Sequence, residues 1–543
     1  MPGTFPKPNA IARTHFLCAM QAGSRWKRIE PWAYWCLVAI HLLPIVVPRW
    51  FVTLDGPSHL YSARIVRELV LGDPFFSQFF HLAPYPVPYW LGHAVMAVLL
   101  GFLPAPVVGK LMWGTAVVLM ALAGRFLVRV IAPQRAWASL LIMPFLLHYA
   151  LRLGFLNFCL SLPLLLFALA WAWQGMMDGK GRPFRLSVVL VLLYFAHLYT
   201  FLLGACLLLS MLAWALVVSR GKNLGNLRRP AIAIGAALAL PLGLAAGYFA
   251  AQHAPGAAIT RLPMHILGQW VLEGRCWNGL GVEGEKLASM LTAIPLLIAG
   301  LAMFVVRVLK LRWGAPAWND YWPLIALAAV AAYFLVPDVV GGGSSVSQRT
   351  LLLVLLLLAC SVAASPLPPK ALIPLVVLVV LADLYHTRLQ YRSAISLGRE
   401  CDELMAVQPA VKDRSVLLPL NWSGNWMHSN LSNYLGTGRA RVVVLDHFTA
   451  LAPFNPAQWN TAMLPYAAVG NFDRSNRPCV HIDGYRKATG TAIDEMLAWK
   501  MNAAPPDSCL EDVRRQLLSG FDTLAVSPRG DAVLYSRTES STK

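Results

Sequence analysis

Apolar and polar positions in this chain alternate on the scale of whole helices. Stretches 32–51, 231–252, 288–306 and 350–364 are apolar almost throughout. Each is near or above the roughly 17–25 residues that cross a bilayer. Only α-helices and closed barrels satisfy their backbone in lipid, and long unbroken apolar runs point to helices. The pattern predicts a polytopic α-helical membrane protein of about 11–13 spans. Two regions resist a simple count: 87–123, broken by Pro104 and Pro106, and 186–219, long enough for two short helices. One of them is expected to hold a segment that does not cross fully. Pro48-Arg49-Trp50-Phe51 follows the first apolar segment in place of a small-residue cleavage site, so that segment reads as a span and not as a removable leader. No internal repeat is visible.

After residue 386 the pattern becomes that of a soluble domain. Residues 391–406 carry apolar side chains at helical spacing. Segments 414–420, 440–445, 522–527 and 532–536 read as strands, the last two joined by a Pro528-Arg529-Gly530-Asp531 turn. The expected division is a membrane domain over 1–386, with outer loops 52–86 and 253–286, and an extramembrane α/β domain over 387–543. Four of the nine cysteines, Cys36, Cys159, Cys206 and Cys360, lie in apolar runs as small core residues. Cys479 and Cys509, in the C-terminal domain, leave a bridge open, and no Cys/His spacing suggests zinc.

Composition agrees: 57% hydrophobic, 13% charged, against about 25% charged residues in soluble proteins. The net charge of +19 invites a nucleic-acid reading, which its distribution removes. Residues 387–543 are nearly balanced, and the excess clusters in short connections: Lys7 to Arg28, Lys180/Arg182/Arg185, Arg220/Lys222/Arg228/Arg229 and Arg307/Lys310/Arg312. That is positive-inside bias, which sets orientation and not partners. It puts the N-terminus in the cytoplasm and loop 52–86, loop 253–286 and the C-terminal domain outside. In a bacterial inner membrane, the location expected here, outside means the periplasm.

Against this background Asp55 stands out, in WFVTLDGPSHLYSARIVREL just past the first span. A carboxylate at the membrane boundary is a functional candidate and equally a helix N-cap before Gly56-Pro57; one residue can do both. Leu60–Leu71 has the apolar arc of a helix lying in the interface. Asp73-Pro74 reads as a second helix start.

From here the sequence resembles the GT-C-type glycosyltransferases, which include protein O-mannosyltransferases and aminoarabinose transferases. The shared features are a first span, an Asp opening the first outer loop, two interfacial helices and a Pro/Tyr-rich lead-in to the next span (Pro84-Tyr85, Pro88-Tyr89-Trp90-Leu91). The stretch Gly124-Arg125-Phe-Leu-Val-Arg129 and an external C-terminal domain complete the set. The likeness covers about the first 175 residues by motif and the rest by architecture. It implies a sugar donor on a polyprenyl phosphate, with the loop Asp as base or as ligand to a metal or acceptor.

That chemistry suits the residue types. Asp55 would take the proton of an attacking hydroxyl. Arg349, in the Gly-Gly-Gly-Ser-Ser-Val-Ser-Gln-Arg stretch before a span, would hold the carrier phosphate in bidentate fashion. Arg261, His265 and Arg275 in loop 253–286 are candidates for the same pocket. His59, one turn beyond Asp55, could orient an acceptor, or be a solvated interfacial histidine. His197 breaks an apolar run at the depth of an outer cavity, where a hydrogen-bonded core histidine would also sit. Arg152 must find an anion or snorkel. Asn157 stands where related enzymes often carry a second acid, and an amide lacks the charge that holds a divalent ion. Metal dependence is therefore not favoured, although Asp73 could supply the second acid.

The function expected is transfer of a sugar from a polyprenyl-phosphate donor to a lipid, glycan or protein acceptor on the external face. The alternatives are a non-catalytic subunit of an envelope polysaccharide system, and a transporter or flippase, which would want ionisable groups at mid-membrane. Asp383, near the end of the last span, is the main such group.

Overall fold

The computed structural model describes residues 29–220, 224–251, 259–279, 281–311, 316–339, 343–365, 367–472 and 477–538. The basic N-terminal segment, Lys222, Arg312 and parts of loop 253–286 and of the glycine stretch before Arg349 lie outside these residues. Among the described residues, 8 helices are long and apolar enough to cross a membrane: Ile29–Val46, Ala105–Ile131, Leu156–Asp178, Leu198–Ser219, Gly225–Ala251, Glu285–Leu309, Val346–Ala363 and Pro369–Ala410.

Three shorter segments also carry the chain from one end of the bundle to the other. Pro133–Phe145 begins where Arg135 donates to Ser365 O at 2.6 Å and ends with Phe145 against Trp277. Pro183–Ala196 follows the Asp178–Arg182 pair and leads to His197, which meets Arg349. Tyr321–Leu335 starts beside the Arg307–Asp320 pair and leads to Asp338, which caps Ser347 N at 3.1 Å. Together with the 8 long helices they make up the described bundle.

Both regions that resisted counting split into one short and one long helix: Trp90–Leu99 with Ala105–Ile131, and Pro183–Ala196 with Leu198–Ser219. The breaks have local causes. Pro104 is extended and opens the longer helix, since its fixed φ suits a helix start and lacks the N–H a helix interior needs. His197 is extended at φ -161 and its ring stands at the start of the next helix.

Two polar pairs tie the first span to the bundle. Arg125 holds Glu30 through two bonds of 2.6 and 2.7 Å. His41 Nε2 lies 2.8 Å from Asp383 Oδ2. Asp383, the acid that gave the transporter reading its support, is thus a fully buried partner between the first and last spans.

The last helix runs without a break from Pro369 to Met405, across residue 387, so the helix expected over 391–406 is present and is continuous with the last span. Beyond it lies a five-stranded sheet in the order Val442–Val444, Ser415–Asn421, Glu495–Trp499, Ala532–Arg537, Phe521–Val526. The first two interfaces are parallel and the last two antiparallel. The expected turn is present, with Gly530 N donating to Ser527 O at 2.9 Å and Gly530 at φ +75. The central strand Glu495–Trp499 has no alternation to give it away. It is buried on both faces, and its glutamate is held by Ser415 Oγ at 2.6 Å and Lys412 N at 3.1 Å.

Cys479 and Cys509 form a disulfide across a separation of 30 residues, joining strand Cys479–Val480 to helix Ser508–Gly520. A loop of that length restricts the unfolded chain by about 3–4 kcal/mol. The Cys479→Ser/Cys509→Ser double variant should therefore unfold its C-terminal region at visibly lower urea concentration, as tryptophan fluorescence would report.

The helix expected to lie in the membrane interface turns most of its apolar arc into the protein, with Val70 and Leu71 left exposed. Gly56–Val70 buries Leu60, Tyr61, Ala63, Ile65 and Val66 between the bundle and the C-terminal domain. Tyr61 Oη donates to Val442 O at 2.6 Å and accepts from Val444 N at 3.1 Å, so it occupies the sheet's edge. Further on, Phe80–Leu82 pairs antiparallel with Ala457–Trp459, and the Phe80 and Trp459 rings stand 4.2 Å apart. An apolar arc satisfies a lipid surface and a protein surface equally, which is why periodicity could not tell them apart.

Candidate active site

Asp55 is placed by backbone pairing. Leu54 N donates to Arg152 O and Asp55 N to Leu153 O, each at 3.0 Å. This close approach depends on Gly154, which sits at φ +84 where a Cβ would come within 2.6 Å of Gly56 N and 2.7 Å of Asp55 N. Gly154→Ala should push the Asp55 loop away and lower the melting temperature, which thermal melts would check.

Asp55 stands at the N-cap position of Gly56–Val70, yet its side chain makes no cap bond. Thr53 Oγ1 accepts from Gly56 N at 3.1 Å in its place. The Asp55 carboxylate turns to the C-terminal domain: Asn430 Nδ2 donates to Asp55 Oδ1 at 2.9 Å and to Leu54 O at 3.1 Å.

Asp55 opens onto a cavity of about 360 Å³ shared with His59, Tyr89, Asn157, His197 and Arg349. Phe155 and Phe158 form one wall, while Phe448, Thr449, Ala452, Phe454 and Asn455 of the C-terminal domain roof it. Apolar walls exclude water and strengthen any charge interaction inside.

Arg349 is the cavity's cation. Its Nη2 donates to Ser344 O at 2.5 Å, Nη1 lies 3.2 Å from His197 Nε2, and its guanidinium covers the Phe155 ring at 4.3 Å. All three groups are neutral. Ser161 Oγ stands 2.7 Å from Phe158 O and 2.9 Å from Thr200 Oγ1. His197 Nδ1 lies 3.0 Å from Thr200 Oγ1 and accepts from Thr200 N at 3.3 Å. The histidine ring stands against the guanidinium, with its Nε2 3.2 Å from Arg349 Nη1.

Asn157 uses its whole amide on the backbone, donating to Tyr89 O at 3.0 Å and accepting from Gly92 N at 2.8 Å. Tyr89 adopts φ 74, left-handed and unusual for an aromatic residue. Its ring meets His197 and Phe454, each at 5.1 Å between centroids. On the helix after Asp55, burial and the neighbouring His93 and His447 hold His59 well below the ordinary histidine pKa. Burial likewise pushes His447 down to about 3. Both rings are uncharged at neutral pH.

The other expected residues lie elsewhere. Asp73 caps its own short helix through Phe75 N at 2.9 Å and Phe76 N at 3.1 Å, and faces Arg441 at 3.5 Å. Arg152 is buried with its guanidinium 5.2 Å from the Phe51 ring, behind the Asp55 loop and not in the cavity. Arg261 and His265 are exposed, and Arg275 lies 6.0 Å from the Trp270 ring. Among the described residues, loop 253–286 contributes nothing to this cavity. Nor do the described residues include three His, Cys, Asp or Glu side chains grouped to hold a metal ion.

Sequence reasoning missed the cavity's roof and Asn430. The only local signal at Asn430 was an Asn-Leu-Ser triplet, too short to carry meaning.

No protein-family model and no curated protein matches this chain in sequence. In fold it is similar to the crystal structure of ArnT from Cupriavidus metallidurans bound to undecaprenyl phosphate, with a TM-score of 0.52 and 13% identity over 93% of this chain and 98% of that one. What the two share at that identity is the fold: the chain has the GT-C-type architecture, a polytopic helical bundle with a strand-bearing C-terminal region.

Proposed function

We propose that this protein is a membrane glycosyltransferase that moves a sugar from a polyprenyl-phosphate donor to a lipid, glycan or protein acceptor on the external face. The observation that carries this reading is that Asp55 and Arg349, 294 positions apart in the sequence, line one aromatic-walled cavity. The undecaprenyl phosphate in the ArnT structure supports the donor class. The basic clusters around Arg135, Arg182, Arg228 and Arg307 sit at the end of the bundle away from the cavity, which supports an external site.

In the proposed reaction an acceptor hydroxyl passes its proton to the Asp55 carboxylate as its oxygen bonds to the anomeric carbon. The bond from that carbon to the phosphate oxygen breaks, and the electron pair leaves with the phosphate. Arg349 stabilises the added negative charge through its fork of N–H donors. Asn430 keeps the carboxylate turned to the cavity, and His197 keeps the guanidinium there. No step requires a metal.

The test is direct. The purified protein in proteoliposomes receives a radiolabelled polyprenyl-phosphate sugar and an envelope-lipid extract. Label moving to an acceptor supports the reading. Failure to turn over any polyprenyl-phosphate donor would overturn it and favour the non-catalytic envelope subunit.

A further inference from the structure

The hydrogen bonds behind His59 run in one direction. Tyr89 O can only accept, and it lies 2.9 Å from His93 Nδ1, so His93 carries its proton there. Neutral His93 then presents a lone pair at Nε2, 3.1 Å from His59 Nδ1. His59 must donate to it and so also carries its proton on Nδ1. What remains on His59 is a bare Nε2. His59 lines the cavity while His93 does not, so Nε2 is the polar atom the ring has left for that space. His59 N donates to Asp55 O at 2.9 Å, which places the two side chains one turn apart on one helix. The anchor of the relay is firm. Tyr89 keeps its left-handed backbone, and its carbonyl is also gripped by Asn157 Nδ2 at 3.0 Å.

We infer that His93 is a positioning residue: through the relay Tyr89–His93–His59 it keeps the His59 proton on Nδ1, and so offers His59 Nε2 to the cavity as a neutral acceptor for a hydroxyl of the sugar or of the acceptor substrate. The inference rests on the proposed function and deepens it. Arg349 can only donate, and Asp55 has one oxygen engaged by Asn430 while its proposed task is to receive the reacting proton. A second, uncharged acceptor lets a hydroxyl be oriented without competing for that carboxylate. No covalent step is involved; the hydroxyl donates to His59 and keeps its proton.

The tautomer can be read without turnover. Histidine-labelled full-length protein in lipid bilayers is measured by ¹⁵N solid-state NMR, with the His59 signals identified by their loss in His59→Gln. The wild type should show His59 with a protonated Nδ1 and a bare Nε2. His93→Phe removes the acceptor, so His59 should shift toward the other tautomer and kcat/KM should fall about tenfold, the scale of one lost hydrogen bond. His93→Gln keeps an acceptor for His59 and a donor for Tyr89 O, and should restore both readouts. A wild-type His59 with its proton on Nε2 would overturn the relay, as would an unchanged tautomer in His93→Phe. A shifted tautomer with unchanged kcat/KM would overturn the substrate contact. If His93→Phe does not fold, the wild-type spectrum and His93→Gln still decide. Absence of any sugar transfer by the wild type would sink the proposed function and leave the tautomer measurement valid.

Discussion

Asp55→Asn is expected to lower the rate of sugar transfer by roughly 10²- to 10⁴-fold, the range that general-base catalysis supplies, while the protein stays folded. The substitution is nearly isosteric, and the amide keeps an oxygen for the bond that Asn430 Nδ2 makes to Asp55 Oδ1 at 2.9 Å. The backbone bonds to Arg152 O and Leu153 O do not involve the side chain. The helix start does not depend on it either, because Thr53 supplies that bond. Stability and activity should therefore separate cleanly, which would not happen if Asp55 were a capping residue. Initial rates in proteoliposomes, set beside melting temperatures of both proteins, make the comparison. Wild-type rates in the variant would remove Asp55 from the chemistry.

Arg349→Lys should lower kcat/KM for the donor by about 10- to 100-fold, the worth of one or two hydrogen bonds to a charged group. The charge survives this change and the geometry does not. The guanidinium reaches Ser344 O, approaches His197 Nε2 and lies against Phe155 at the same time. A lysine ammonium is a compact point charge that cannot make these contacts and also present a planar fork to a phosphate. Donor titrations by calorimetry together with kinetics would show whether the loss falls on binding, on the chemical step, or on both. A lysine variant with unchanged kcat/KM would show that Arg349 does not hold the leaving phosphate.

The parts of this molecule that were legible in its sequence are those that depend on short range. Bilayer-length apolar runs announced the bundle, and the Asp55 loop announced the GT-C-type architecture through its order of elements. Asp55, His59, Asn157, His197 and Arg349 each interrupt or border an apolar run, and these five line the cavity. Arg261, His265 and Arg275 had the right charge in a plausible loop, but charge in a loop says nothing of where the loop packs. The cavity's roof was illegible for a related reason. Phe448, Phe454 and Asn455 belong to a region that reads as ordinary soluble sequence, and only tertiary packing brings them over Asp55. The strand Glu495–Trp499 escaped because burial on both faces erases the alternation that marks a half-exposed strand.

The seam between the first outer loop and the C-terminal domain also sets a clock for biogenesis. Asn430 acts on Asp55 across 375 residues, and His81 meets Asn460 across 379. At about 5–20 residues per second, the ribosome needs roughly 20 to 75 seconds to make the distance between those partners. Through that interval the helix Gly56–Val70 lacks the C-terminal domain that covers part of its apolar arc, and the contacts of Tyr61 with the sheet edge are not yet made. A chain that stopped after its last span would keep Asp55 and Arg349 but lack the domain that turns the carboxylate inward and closes the cavity. The protein therefore acquires its site only in the final stage of its own synthesis.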